Sequence, residues 1–256
     1  MDFAQRHHQV EPLVLANVWD AASARLAEAA GYAAIGTSSA AISDMLGYPD
    51  GEGMCFAELI ALVTRLRSAS QLPLTVDLEA GYGESAEVIV ANLHQLAGLG
   101  VVGVNLEDSV IRSARREMVE PEAFSRCLRE IRSGLQAGGV EMFLNVRTDA
   151  YLLGMANACQ ESIVRGGLYA ASGADGLFVP GVTGEADIAA IAAGVPLPLN
   201  VMCMPDLPSF HSLSKLGVKR ISMGNFLYER MQQTLDQLLA VVKSEQSFLA
   251  VFRPCR

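Results

Sequence analysis

The stretch that decides the fold is Leu99-Gly100-Val101-Val102-Gly103-Val104-Asn105-Leu106-Glu107-Asp108. A helical pattern stops at a glycine, an apolar run follows at once, and the run ends in polar residues. Glycine supplies the left-handed residue that ends a helix, so the segment reads as a helix–turn–strand junction. The same unit recurs at Ala30-Gly31 before Tyr32–Gly36, at Ser172-Gly173 before Ala174–Phe178, and at Leu216-Gly217 before Val218–Ser222. Three further strands follow turns bearing proline, at Leu13–Val18, Leu74–Asp77 and Leu199–Met202. Phe143–Arg147 follows the Gly138-Gly139 break.

Eight short apolar runs result, each suited to a strand buried on both faces. Helical patterns lie between them, for example at Glu87–Leu99, Glu122–Gln136, Glu161–Ala171 and Phe226–Val242. Strict alternation of strand and helix implies a parallel sheet, and eight repeats in 256 residues predict one closed (β/α)8 TIM barrel. An open doubly wound sheet is the alternative, but no glycine-rich fingerprint follows the first strand. No internal linker divides the chain, so residues 1–256 read as a single domain.

Composition narrows the function. The formal net charge of −9 speaks against nucleic acid as a partner. No apolar run is long enough to span a membrane, and residues Met1–Val10 lack the core of a signal peptide, so the expected setting is cytoplasmic. Cys55, Cys127, Cys159, Cys203 and Cys255 are scattered and odd in number, which suits reduced thiols serving mostly in packing. His7 and His8 fall in an N-terminus expected to be mobile. His94 falls on a helix and His211 in the helix after the seventh strand, and no histidine has zinc-ligand spacing. Neither a Gly-x-Ser-x-Gly elbow nor a Walker loop occurs.

In a parallel barrel the active site forms at the C-terminal ends of the strands, and here those ends are polar. They read Trp19-Asp20, Thr37-Ser38-Ser39, Asp77-Leu78-Glu79, Asn105-Leu106-Glu107-Asp108, Asn145-Val146-Arg147-Thr148-Asp149 and Asn200. Alternate residues on a strand share a face, so Asp77 can point with Glu79, and Asn145 with Arg147. Carboxylates crowded on neighbouring strands repel unless a proton or cation intervenes. A hard divalent ion held by one or two of them, with waters and substrate oxygens, resolves the conflict. Helix caps and arginine pairs are the structural alternative for each acid taken singly. Arg147 could grip a carboxylate with both prongs, or pair with Glu107 or Asp149. Ser38 and Ser39 could form an anion nest or serve as ordinary turn residues.

At these strand ends the sequence resembles the isocitrate lyase/phosphoenolpyruvate mutase superfamily. The matching segments are Asn17–Arg25, Gly47–Glu52, Val76-Asp77-Leu78-Glu79-Ala80-Gly81-Tyr82-Gly83, Gly103–Asp108, Asn145–Asp149 and Gly173–Gly181. The resemblance implies a Mg²⁺-dependent enzyme, with Mn²⁺ able to take its place, that binds a small 2-oxo acid and stabilises its enolate. It implies Asp77 as the direct metal ligand, with Asp50, Glu79 and Glu107 holding metal-bound waters. Ser38, Ser39, the amide of Ala40, Trp19 and Asn200 are implied to contact substrate. Arg147 bridges its oxygens, and Arg147 and Glu107 are the implied catalytic pair. It further implies a homodimer or homotetramer in which the last barrel helix, about residues 225–243, exchanges between subunits.

Two departures from the family bear on the reaction. Its lyases carry a Lys-x-Cys-Gly-His loop after the fourth strand, and its phosphonomutases a longer lid bearing an asparagine. This chain has neither; its lid is Ser109–Glu120, whose Arg112, Arg115 and Arg116 could close over a second acidic group or form a solvated basic stretch. The expected activity is a lyase, decarboxylase or hydrolase acting beside the carbonyl of a 2-oxo or 2-hydroxy dicarboxylic acid. Carbon–phosphorus chemistry on a phosphonate is the alternative. A 2-oxo acid binding protein without turnover is the alternative of another class.

Overall fold

The computed structural model describes residues 2–112 and 115–253. Its main sheet orders the strands β1 (Leu13–Val14), β2 (Ala16–Val18), β3 (Ile35–Thr37), β4 (Leu74–Asp77) and β5 (Val101–Glu107) with β8 (Phe143–Arg147), β9 (Gly176–Phe178), β10 (Leu199–Met202) and β11 (Val218–Ser222). All its pairings are parallel. The order is β1-β11-β10-β9-β8-β5-β4-β3-β2, so the sheet curls until its two ends meet in one stretch of chain. The expected first strand, Leu13–Val18, is that closing stave. Its first half pairs with β11 and its second half with β3, because the stagger of a barrel hands the stave from one neighbour to the other. The Leu15 amide still donates to the Ile221 carbonyl at 2.9 Å, which keeps the wall continuous across the change.

The helices α1 (Ala21–Ala29), α2 (Ser39–Leu46), α3 (Phe56–Ala69), α4 (Ala86–Gly98), α5 (Pro121–Ala137), α6 (Ala158–Ala170), α7 (Glu185–Gly194), α8 (Phe210–Lys215) and α9 (Phe226–Glu245) alternate with the staves. Their apolar faces and the outward residues of the staves form one continuous core, from Leu59 and Leu66 to Ile188 and Leu213. The four junction glycines, Gly31, Gly100, Gly173 and Gly217, all hold positive φ, as the repeated unit requires. Side chains also fix helix starts next to the mouth. Asp20 and Ser23 form a capping box on α1, and Ser38 caps α2.

Three expectations change. The lid is not a plain loop: Ser109–Arg112 (β6) and Arg115–Met118 (β7) pair as an antiparallel hairpin continuing β5, with Ser113 and Ala114 outside the described residues. The N-terminus is not loose. Ala4–His8 form a 3-10 turn, and His7 is buried, stacked on Phe143 at 4.1 Å with Phe3 edge-on to both rings. This aromatic plug closes the end of the barrel opposite the polar strand ends. The cysteines also differ: Cys55 and Cys203 are exposed, Cys127 and Cys159 are half-buried, and Cys255 lies outside the described residues. Among the described residues no helix is long and apolar enough to cross a membrane.

Candidate active site at the barrel mouth

Asp77 ends β4, where the apolar run Leu74-Thr75-Val76 delivers it to the rim. Ser39 donates to its Oδ2 from the hydroxyl at 2.7 Å and from the amide at 3.2 Å. The Thr37 hydroxyl accepts the Asp77 amide at 2.8 Å, and Asn105 donates to Oδ1 at 3.4 Å. The carboxylate is thus aimed from both neighbouring staves, β3 with its loop on one side and β5 on the other.

Beyond Asp77 the backbone is strained around a second carboxylate. Glu52, Glu79 and Tyr82 all hold left-handed φ, at 58°, 51° and 55°. Three reciprocal bonds compensate for this unfavourable geometry. Glu79 accepts the Glu52 amide at 2.7 Å, Glu52 accepts the Tyr82 amide at 2.8 Å, and the Tyr82 hydroxyl donates to Glu79 at 3.0 Å. Gly81 completes the turn at φ 112°, where a side chain would press on Ile89. Burial, followed by repulsion from Asp77, Glu107 and Asp50, pushes Glu79 up to about 8.

On the other side, two guanidiniums share two buried carboxylates. Arg147 reaches Glu107 at 2.9 Å and Asp149 at 2.6 Å, so the ion pairs foreseen as its structural alternative are both formed. Arg116, swung inward from β7, bonds Glu107, Asp149 and the Ser109 hydroxyl, and stands 3.6 Å from Asp50. Burial opposes ionisation of Glu107 and raises its pKa, while Arg147 pulls it down. Burial alone lowers the pKa of Arg147, but Glu107 and then Asp149 more than reverse this and keep the guanidinium charged. Arg112 and Arg115, also expected over the substrate, lie on the exposed side of the hairpin. The hairpin is seated at both ends: Arg165, itself paired with Asp108, donates to the Val119 carbonyl, and Ile111 packs against Gly51.

A cavity of about 250 Å³ opens among these groups. Of the expected residues, it brings together Ser38, Ser39, Ala40, Asp50, Asp77 and Arg147. Glu79 and Glu107 stand behind this front row and do not line it. Trp19 does not reach the cavity; it packs edge-on to Tyr228 and lines an apolar pocket between α1 and α9. Asn200 is also absent from the wall, buried as a strut that accepts from Asn145 and donates to Ser222. Sequence reasoning noted Thr37 at a polar strand end without giving it a role, and missed Asn17, Ser222, Asn225 and an apolar wall of Leu152, Phe178, Pro180 and Met202. Asn17 could have been found, since it shares a strand face with Trp19 two residues on. The apolar wall could not, because its members read as ordinary core.

Among the described residues no three acidic, histidine or cysteine side chains converge as a ready-made metal cage. The donor set still fits Mg²⁺, which takes one or two carboxylates and completes its shell with water. Asp50, Asp77, Glu79, Glu107 and Asp149 crowd around Arg116 and Arg147, so the acids outnumber the cations paired with them.

The comparisons with known proteins bear on the family and the fold. The family model for phosphoenolpyruvate phosphomutase matches residues 3–243. An uncharacterized protein of Mycobacterium tuberculosis (strain ATCC 25618 / H37Rv) is 33% identical over 228 residues, covering 89% of this chain and 83% of the relative. Oxaloacetate decarboxylase of Rhodopseudomonas palustris (strain ATCC BAA-98 / CGA009) is 30% identical over 238 residues, covering 89% and 79%. A crystal structure from Burkholderia cenocepacia J2315, provisionally described as a phosphonomutase, superposes with a TM-score of 0.87 at 37% identity, covering 93% of this chain and 97% of that one. The chain belongs to the phosphoenolpyruvate phosphomutase family and, with it, to the isocitrate lyase/phosphoenolpyruvate mutase superfamily of enzymes.

Proposed function

We propose that this chain is a Mg²⁺-dependent enzyme that breaks the bond next to the carbonyl of a small 2-oxo dicarboxylic acid, with oxaloacetate decarboxylation as its reaction. The observation that carries this reading is the make-up of the cavity wall. Among the described residues that line it, Arg147 is the one cation, and Leu152, Phe178, Pro180 and Met202 form an apolar side. A carboxylate that leaves as neutral CO₂ suits an apolar wall. A departing phosphoryl group carries charge throughout its transfer and calls for a cationic cradle.

Ser38, Ser39 and Ala40 begin α2, and although the Ser39 amide is given to Asp77, the start of a helix favours an anion. In this reading they hold the 1-carboxylate, and Arg147 faces the 2-oxo oxygen. The bond to the departing carboxylate breaks, its electron pair forms the enolate, and the positive charge of Arg147 stabilises the new oxyanion. Water returns a proton to the methylene carbon, giving pyruvate. No cysteine acid is needed for that step, which accords with its absence from the lid. Asp77 would hold the metal directly, with Asp50, Glu79 and Glu107 turned to its waters. Mg²⁺ would supply Lewis-acid stabilisation of the developing charge, and Mn²⁺ offers the same chemistry.

Carbon–phosphorus chemistry is the second reading, favoured by the 37% identity to the Burkholderia protein. Assaying the purified protein with Mg²⁺ against oxaloacetate, 2-methylisocitrate, isocitrate, phosphonopyruvate and carboxyphosphonoenolpyruvate separates the two. Release of CO₂ and pyruvate from oxaloacetate alone is the expected result. Turnover of a phosphonate in its place overturns the first reading, and binding of oxaloacetate with no turnover of any compound points to a binding protein.

We also propose that the protein works as a dimer or tetramer through α9. Only Tyr228 of that helix is buried, while Leu227, Met231, Leu235 and Leu239 recur every fourth residue and are exposed. Such a stripe marks an interaction face. Sedimentation of the parent beside Leu235→Glu checks it, and a monomeric parent rules it out.

A further inference from the structure

Arg220 takes no part in the chemistry above, yet it is among the most buried side chains in the molecule. On β11 it lies two residues before Ser222, which lines the cavity, so the two share an inward face and Arg220 sits one step deeper. It lies between the cavity floor and the plug, close enough to His7 to disfavour protonation of that ring. Its hydrogen bonding is poor. Nη2 donates to Asn105 Oδ1 at a long 3.4 Å, while Nε and Nη1 have no partner among the described residues. Burial draws its pKa down to about 9, against the attraction of Asp77.

Such a residue is a poor choice for stability. An under-bonded buried charge costs free energy that a methionine or leucine of similar bulk would not. Its charge does act on the cavity, because Asn105, which it touches, lines the wall and donates to Asp77 at 3.4 Å. Arg147, the cation on the wall itself, is already shared between Glu107 and Asp149. Arg220 forms no ion pair with a carboxylate and acts on Asp77 through Asn105, so its field falls on the cavity itself.

We propose that Arg220 is a specificity-determining residue, a fixed positive charge under the cavity floor that favours a doubly charged 2-oxo acid and opposes the divalent cation. The proposal rests on the metal and oxo-acid reading above and adds a sign to it. A charge acting on both ligands must shift their affinities in opposite directions, whereas a structural prop shifts them together.

Calorimetry on the full-length protein reads both signs. Mg²⁺ is titrated alone, and oxalate, a planar dianion resembling the enolate of pyruvate, is titrated at saturating Mg²⁺. In Arg220→Met, Mg²⁺ is expected to bind several-fold tighter and oxalate about tenfold weaker. Arg220→Lys keeps the charge and should stay within about threefold of the parent on both. Thermal unfolding of Arg220→Met should be unchanged or shifted upward. Should that variant fail to fold, Arg220→Gln gives the same comparison. Weakening of both ligands together, or no change in oxalate binding, overturns the proposal. A parent that takes up no Mg²⁺ sinks the metal reading instead, and oxalate titrated without metal then decides on Arg220: binding equal in parent and Arg220→Met, or undetectable in the parent, overturns it.

Discussion

The two ends of this barrel bury ionisable groups in opposite ways. At the closed end His7 sits between Phe3 and Phe143, bonded through Nδ1 to the Phe3 carbonyl at 3.1 Å, and burial with the nearby Arg220 lowers its pKa to about 3. The conflict between charge and burial is settled there by giving up the charge. At the mouth, Asp77, Glu79, Glu107 and Asp149 are packed together and offset by Arg116 and Arg147, with a negative surplus and strained backbone left over. A site that evolves only for stability settles its electrostatics internally, as the closed end does. The mouth leaves its balance to be completed by what it binds.

The sharpest way to break that contrast is to neutralise Asp77. Asp77→Asn keeps the size of the side chain and an oxygen for the Ser39 hydroxyl, but removes the charge at the front of the acidic group. Turnover should fall by about a thousandfold or more, because the developing enolate loses its Lewis acid. Mg²⁺ affinity measured by calorimetry should fall with it. Stability should stay within about 1 kcal/mol, since less carboxylate repulsion offsets the attraction Arg220 loses. A folded Asp77→Asn protein that binds Mg²⁺ and turns over like the parent would end the metal-site reading.

The closed end offers the next largest effect, one of pH. His7 has a folded pKa near 3, below its unfolded value of 6.5, so the unfolded chain binds the extra proton in between. Its contribution is complete above about pH 6.5 and is lost as the pH falls toward 3, by about 1.4 kcal/mol per unit. Urea unfolding at pH 6.5 and 4.5 should therefore show His7 costing the parent about 2 kcal/mol, and His7→Phe should lose that part of the slope. Equal slopes in the two proteins would mean that His7 is not held neutral.

How much of this contrast was legible in the sequence differs between the ends. The staves, their parallel order and the polar rim could be read because glycine stops and apolar runs act locally, as at Leu99–Asp108. Asp77, Ser39 and Arg147 could be placed together because Asp77 and Arg147 end staves and Ser39 follows one closely. The plug could not be read, since His7 and Phe143 are far apart in the chain and a short N-terminal segment carries no period. Asn200 and Trp19 misled for a related reason. Asn200 is second in β10 and so lies below the rim, tied to Asn145 and Ser222, while Trp19 follows β2 but turns to Tyr228 of α9. The hairpin was hidden because Ser109–Met118 lacks the apolar alternation of a buried strand, and its two strands gain their place through Arg116 and Ile111.

Arg116 and Arg115 are adjacent in the chain and should behave unlike each other. Arg116 is held by Glu107 and Asp149, so Arg116→Met leaves buried carboxylates short of a partner and should cost about 2–4 kcal/mol of stability. Arg115 is exposed, and Arg115→Met should stay within about 0.5 kcal/mol. Since Arg116 is committed to protein acids, its loss should also weaken the binding of a 2-oxo dicarboxylic acid and of pyruvate alike. A selective loss of the dicarboxylic acid would show instead that the hairpin releases Arg116 to grip the second carboxylate.

The smallest expected effect is at Cys127. It lies half-buried on α5 and lines a groove on the outer side of the hairpin, with Glu107 between that groove and the Asp77 cavity. Burial and then Glu130 raise its thiol pKa, so the thiolate a reactive cysteine needs is disfavoured. The lid segment Ser109–Glu120 itself holds no thiol to act as an acid. Cys127→Ala should therefore leave kcat within about threefold and stability within about 1 kcal/mol, the cost of a small vacancy on a helix face. Stopped-flow turnover of the two proteins at one Mg²⁺ concentration is a sufficient comparison. A collapse of kcat in folded Cys127→Ala protein would mean that the hairpin opens toward α5 during turnover, making Glu107 a shared wall of two working chambers.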